Sequence, residues 1–492
     1  MKNLKRTAAG VILSFYGAVA ADLFVEESGS GTLCTQAVPC QLSEAVGQAV
    51  DGSIIYMGEG NYTVFTSPMI TLDRNPVQLV GGWDGNDGTS VIVDPDRYET
   101  VIDGNETYQC ISLGVNSSVH LEGLRIVNCR HDDNGSAIYG GDVDVLEIQN
   151  VYFGKNHAEN STQVPTYGGA VYFRGNRLTI TDSEFEDNRV NSNWSFAGAV
   201  AADFTQCRIE RCVFRGNDSW NKAVLHAEGA GMRTSQFVFN DNNVTGNGRS
   251  TVGSSSIYAI YVRKTQVTMK GNRIERNFTP PAASVQASLL GFEYVDLTFA
   301  GNSLSGNGFA RAVLEVQNDS DFEIYNNFIV RNFTDKTVSR VVESTHDSDG
   351  NLSYNTMADN NSSDGVYLDS GSMTVWNNIF NDYNVSIHTK AGTVTAKNNL
   401  FENVARHVYD DGGTTTESGS IDGSARFLDA SSGDYHLRKN SDALDEAAAN
   451  GVDVDYDGDA RPQGPLPDIG ADEYTPGREP AFNPSVMMYL LN

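Results

Sequence analysis

Short alternating runs recur down the chain. Leu178-Thr-Ile180, Val267-Thr-Met269, Val295-Asp-Leu297-Thr-Phe299 and Met373-Thr-Val375 are apolar at every second position. Period two predicts strands with one face in and one face out. No run reaches the roughly 10–12 residues of a helix. After each run an apolar-x-x-Asn unit follows. It reads Phe153-Gly-Lys-Asn156, Phe185-Glu-Asp-Asn188, Phe214-Arg-Gly-Asn217, Val244-Thr-Gly-Asn247, Ile274-Glu-Arg-Asn277, Leu304-Ser-Gly-Asn307, Ile329-Val-Arg-Asn332 and Met357-Ala-Asp-Asn360. The successive asparagines stand 25 to 32 residues apart. A repeat of that length, with two or three short strands and bends between them, is one coil of a parallel β-helix. Each strand then pairs with its equivalent one coil later.

The asparagines have a physical reason to recur. A bend exposes backbone N–H and C=O groups that need partners when buried. The Asn amide carries a donor and an acceptor on a short arm. Stacked at one bend, such amides can bond one another at the strand spacing of about 4.8 Å. Asn also tolerates the left-handed backbone that tight bends use. Asn156, Asn188, Asn217, Asn247, Asn277, Asn307, Asn332 and Asn360 are therefore expected to form a ladder, and Asn378 and Asn399 to continue its rhythm. Small-residue clusters at Gly135-Ser-Ala-Ile138, Gly168-Gly-Ala-Val171, Gly198-Ala-Val200 and Gly229-Ala-Gly231 mark a second recurring bend.

Both ends change character. Leu42, Ala45, Val46, Ala49 and Val50 follow helical spacing and predict a short amphipathic helix over the first coil. The expected layout is a signal peptide at 1–20, an N-terminal cap at 21–50 and the solenoid at 51–415. A C-terminal cap at 416–474 and a tail at 475–492 complete it. The solenoid span predicts roughly 12–14 coils, on the order of 60 Å of stack.

Composition sharpens this picture. There are 48 glycines, yet hydrophobic residues make up 39%, a share that argues against disorder and for many short strands joined by tight turns. Lys2, Lys5 and Arg6, then the apolar Val11–Val19 and Ala18-Val19-Ala20, form a secretory signal pattern. Cleavage there deepens the net charge from −29 to −32, because it removes those three bases and no acid. Such a charge argues against nucleic acid or a bare anionic membrane as partner. No later stretch has the ~18–20 apolar residues of a membrane helix. Six cysteines in an exported chain suit disulfides. Cys34–Cys40 closes a short loop around Pro39 and is the expected bond. Cys110–Cys129 and Cys207–Cys212 are open between bonds and buried thiols.

The residues also carry resemblances. The Gly-Gly-Ala-Val and Phe-x-x-Asn pairing, with Gly81-Gly-Trp83, Thr100-Val-Ile-Asp-Gly104 and Leu121-Glu-Gly-Leu-Arg-Ile126, resembles the repeats of polymorphic outer membrane proteins, a family of surface adhesins. Cys34 to Cys40, Ile54-Ile-Tyr56 and Gly60-Asn-Tyr62 look like bacterial right-handed β-helix proteins related to pectate lyases. Gly433-Asp-Tyr-His-Leu437, Asp453-Val-Asp-Tyr-Asp-Gly458, Arg461-Pro462 and Asp468-Ile-Gly-Ala-Asp-Glu-Tyr474 resemble the terminal domain called choice-of-anchor Q, which a sorting or anchoring tail usually follows. Together they imply a right-handed solenoid that is secreted or held at the cell surface. Autotransported adhesins carry a large C-terminal membrane barrel, and Thr475–Asn492 is too short for one.

Candidate chemistry clusters after the Asn units. His131, Asp132 and Asp133, then His157 and Glu159, then Trp194, then Trp220, Lys222, His226 and Glu228 would stack along one side as a sugar groove. The same residue types also serve as solvated loop positions. The lyase resemblance implies an Arg or Lys base near calcium-binding carboxylates. The hydrolase alternative implies paired Asp residues, of which Asp132-Asp133 is a weak match. Asp453, Asp455, Asp457 and Gly458 begin like a calcium loop, with Asp459 or Asp468 as further ligands, but Gly464 stands where the closing Glu belongs. A polar turn reads equally well there. The leading expectation is an adhesin-like protein binding glycans or cell surfaces. The alternatives are an extracellular lyase or hydrolase acting on acidic polysaccharide, and a structural surface protein.

Overall fold

The computed structural model describes residues 20–476 apart from 64, 89, 161–164, 193, 249–257, 279–286 and 334–338. Residues 1–19 of the expected signal peptide, and those of the expected tail beyond 476, lie outside the described residues. The chain forms a right-handed parallel β-helix. A 14-stranded sheet takes one strand from each coil, and a 25-stranded sheet takes two from most of them. One coil runs Tyr258–Arg263, Gln266–Lys270 and Arg273–Glu275, here termed its first, second and third strands. Each pairs in parallel with its counterpart in the next coil, as Val267 does with Leu297 and Ile274 with Leu304. The helix Leu42–Gln48 packs Leu42 and Ala45 into the core at the N-terminal end.

The apolar-x-x-Asn unit has a plain structural meaning. Its apolar residue is the single inward position of the three-residue third strand. Phe153, Phe185 and Phe214 stack there with ring centroids 4.7 and 5.0 Å apart. The residue just before the Asn takes the left-handed backbone, as Lys155, Asp187, Gly216, Gly246, Arg276, Gly306, Arg331 and Asp359 show. The ladder Asn itself points inward, since its amide is needed there.

That amide makes a repeating set of bonds. Asn247 Nδ2 donates to Phe214 O at 2.9 Å and to Asn277 Oδ1 at 2.9 Å, and its backbone N–H donates to the same Oδ1 at 3.1 Å. The pattern runs unbroken from Asn156 through Asn188, Asn217, Asn247, Asn277, Asn307 and Asn332 to Asn360. There it ends on Tyr383 Oη. Asn378 and Asn399 do not continue this ladder. They belong to a second one at the preceding bend, through Asn242, Asn272, Asn302, Asn327 and Asn355. Each third strand from Asn243–Thr245 to Thr356–Ala358 is thus bracketed by two buried amides.

Cys34–Cys40 and Cys110–Cys129 are disulfides, while Cys207 and Cys212 are free and buried. Strand pairing explains the missing bond. Cys207 is stacked between Leu178 and Phe237 in the core column of the second strands, whereas Cys212 sits at the bend below the second Asn ladder.

The C-terminal segment lies along the side of the last coils. Most three-residue third strands bury only their middle residue, but Phe328–Val330, Thr356–Ala358 and Ile379–Asn381 bury all three. Their outward residues pack against Ala425, Tyr435, Leu437, Ala443, Ala447, Ile469 and Ala471. Arg461, fully buried, fastens this contact. It pairs with Glu473 at 3.1 Å, donates to the carbonyls of Asp468 and Gly470, and lies 4.4 Å from the Tyr354 ring.

Replacing Asn247 by Ala leaves several buried groups unpaired, each worth about 1–3 kcal/mol. Urea unfolding of Asn247→Ala should show a loss of about 3 kcal/mol. The exposed Asn61→Ala should stay within about 0.5 kcal/mol of the parent.

Candidate functional site

The sequence candidates fall into two groups. His131, His157 and Glu159 lie on a small three-stranded sheet of Arg130–His131, His157–Glu159 and Arg189–Asn191. Glu159 is tied to Arg130 at 2.5 Å, and burial, the largest influence, lowers the His157 pKa. Asp132 and Asp133 are exposed beside them, with Asp133 accepting the Asn134 N–H. Trp194 is 57% exposed, and Trp220 is half-buried with its backbone N–H donating to Ser195 Oγ. Lys222, His226 and Glu228 form the second group on one first strand, Lys222–Gly229.

Around Lys222 the first strands build an aromatic box that spacing did not reveal. The outward position of successive coils runs Tyr172, Ala201, His226, Tyr261, Gly291, Glu315 and Glu343. Its small members, Ala201 and Gly291, leave room for rings from neighbouring coils. His226 stacks on Tyr261 at 5.7 Å and 4° and contacts Phe196 and Tyr167 at 5.5 and 5.8 Å. Buried among rings, with Nδ1 unpartnered, it is driven to about 3 and stays neutral, burial being the main cause and Lys222 the next.

Lys222 Nζ lies 4.3 Å from the Phe196 ring centroid and 4.8 Å from that of Tyr261. Among the described residues it enters no ion pair, whereas Lys264 of the next coil binds Glu228 at 2.6 Å. Burial pulls Lys222 down to about 8, with Arg263 adding to the effect. Two residues along the strand, a charged column runs Arg174, Asp203, Glu228, Arg263 and Glu293, with the two acids Asp203 and Glu228 on adjacent coils. Burial and the Glu228 charge push Asp203 up to about 6. Tyr261 donates to Glu293.

Beyond Gly291 the column becomes a buried ionic network. Glu315, fully buried, accepts from Tyr258 at 2.9 Å and Ser288 at 2.7 Å and pairs with Arg311 at 2.8 Å. Arg311 also holds Glu343 at 2.8 Å. Burial raises the Glu315 pKa against the pull of Arg311. These groups satisfy one another and shape one wall of the box. Lys222 is the cation left over. It offers an ammonium to an anionic ligand group beside ring faces, or an amine to a proton.

The proposed calcium loop has a different use for its carboxylates. Asp455 Oδ1 accepts the N–H groups of Asp457 and Asp459, and Oδ2 accepts that of Glu473. Asp468 accepts from Asp445 and Tyr474, and Asp453 is exposed. Among the described residues, the ligand atoms that gather within 4.8 Å are those of His436, Asp457 and Asp472. His436 donates to Asp434 at 2.6 Å and Asp457 at 2.9 Å, so an imidazolium already fills the centre of that cluster. Calcium, which takes 6–8 oxygen ligands, does not fit this arrangement.

Residues 89–274 match the family described as right-handed β-helix region. Among solved structures, the pectate lyase Pel9A is similar over 93% of this chain and 98% of its own, at 12% identity and a TM-score of 0.34. A DFA-IIIase mutant from Arthrobacter chlorophenolicus A6, in complex with DFA-III, is similar over 74% of this chain and 76% of its own, at 12% identity and a TM-score of 0.25. No curated protein matches in sequence. No described helix is long and apolar enough to cross a membrane.

Two titrations test these environments. Folding disfavours the Lys222 ammonium, so its cost is full below about pH 8 and fades as pH rises toward 10.5. Lys222→Met should therefore raise the melting midpoint near neutrality, with the gain shrinking above pH 8. His436 behaves oppositely. Burial alone would lower it, but the Asp457 hydrogen bond and the charges of Asp472 and Asp457 raise it to about 9. Its stabilisation is complete below about pH 6.5 and lost as pH rises through about 9. Thermal melts of His436→Gln against the parent should differ below pH 6.5 and converge above 9. Added calcium should leave the parent's midpoint unchanged.

Proposed function

We propose that this chain is an adhesin-like, glycan-binding solenoid that works outside the cell, at the surface or free. The observation that carries the reading is Lys222, an unpaired cation held between the Phe196 and Tyr261 rings beside a neutral His226. Ring faces pack against the apolar face of a pyranose, and the ammonium receives an anionic substituent such as a uronate carboxylate. Two disulfides and the N-terminal export pattern support the location. The resemblance to choice-of-anchor domains supports attachment through the C-terminal region.

The test is calorimetric titration of the folded chain with a galacturonate oligomer. Binding that weakens about tenfold in Lys222→Met and in Phe196→Ala supports the reading. No binding, or binding indifferent to both changes, sinks it.

One observation favours a second reading, an extracellular lyase. A lysine titrating near 8 has a sizeable neutral fraction at mildly alkaline pH and can take a proton from the carbon beside a uronate carboxylate. Unsaturated products from acidic polysaccharide, rising with pH through about 8 and absent in Lys222→Met, would establish that activity. Running the assay with calcium and then with chelator separates metal-assisted from metal-free elimination.

A further inference from the structure

A second concave surface lies on the outer face of the second strands, away from the Lys222 box. It is a groove of about 500 Å³ crossing Asp296–Ala300, Asp321–Tyr325, Asp349–Ser353, Ser372–Trp376 and Thr393–Lys397. A second hollow of about 420 Å³ shares Glu323, Asn351 and Thr374 with it and extends it. There Tyr325 and Trp376 form the floor, and Asn450–Val452 of the C-terminal segment form a wall. Trp376 Nε1 is buried there without a hydrogen-bond partner.

Register sets the chemistry of this groove. Asp296, Asp321 and Asp349 occupy one position of three successive coils. Parallel pairing therefore places carboxylates about 4.8 Å apart along the stack, close to the rise of one pyranose in an extended glycan. Glu323 stands two residues farther on, followed in its own column by Asn351 and Thr374. Arg233 neutralises part of one end, at 2.7 Å from Asp321 and 3.2 Å from Asp296. Between that end and Lys397, which lies on Trp376, no described lysine or arginine lines the groove. A polymer of uronates brought here meets like charge along the row, with cations only at its two ends. A chain bearing ammonium groups meets charge-assisted acceptors at matching intervals.

We propose that this groove is a second glycan-binding surface, one that takes a linear polymer of amino sugars and rejects uronates. Trp376 supplies the stacking platform for one ring, and Asp321, Asp349 and Glu323 accept hydrogen bonds from ammonium and hydroxyl groups of the next ones. The surface is independent of Lys222, so the two sites stand or fall separately.

The experiment is calorimetric titration of the full chain, at mildly acidic pH, with hexamers of glucosamine, N-acetylglucosamine and galacturonic acid. The glucosamine hexamer should bind about tenfold or more tightly than its acetylated form, since acetylation removes each positive charge. Trp376→Ala should weaken it by about tenfold, and so should Asp321→Asn combined with Glu323→Gln. Lys222→Met should leave it unchanged. All substituted positions face outward; thermal midpoints matching the parent confirm folding of the Trp376 and Asp321/Glu323 variants, and a midpoint at or above the parent's confirms it for Lys222→Met. The proposal is overturned by equal binding of the charged and acetylated hexamers. It is also overturned by galacturonate binding that Trp376→Ala abolishes, or by no glucosamine binding to folded parent protein.

Discussion

The amide-to-amide hydrogen bond at the bends is the constraint on which this solenoid depends. A parallel β-helix must turn its backbone sharply inside its own core, where water does not reach the freed N–H and C=O groups. Asn resolves this by bonding the backbone of one coil and the amide of the next at the spacing of the strands. Because each amide leans on the next, the ladders set the coil-to-coil register for every strand between them. The outward columns of side chains inherit that register. Both candidate binding surfaces are such columns.

One geometry thus yields opposite electrostatic outcomes on neighbouring faces. On the first strands, bases are interspersed among the acids and pair with Glu228, Glu293, Glu315 and Glu343, so a single lysine stands out among rings. On the second strands, three aspartates fall in phase, and one arginine at the end of the row serves two of them. A one-residue change of register would send these side chains into the core and reverse both faces. The C-terminal segment adds the remaining element. By lying on the third strands it buries Phe328, Val330 and Ile379 and brings Asn450–Val452 to the edge of the groove. Its Asp-rich text serves that docking, with carboxylates spent on backbone N–H groups and on His436 and Arg461.

The sequence by itself determined the repeat, the parallel coil, the core column and the ladder, because each is a local rule written again in every period. A second ladder was equally legible, since Asn242, Asn272, Asn302, Asn327 and Asn355 stand five residues before members of the first. So was the lateral docking, where Arg273 and Glu275 give way to Phe328 and Val330 at the same outward positions. The site was legible only as residue types. Lys222 and His226 could be named, but Tyr167, Phe196 and Tyr261 come from three other coils whose loops differ in length. Only stacking the coils decided which rings met around the lysine and which acids fell in phase. Contact across coils depends on register, and register is a property of the assembled sheet.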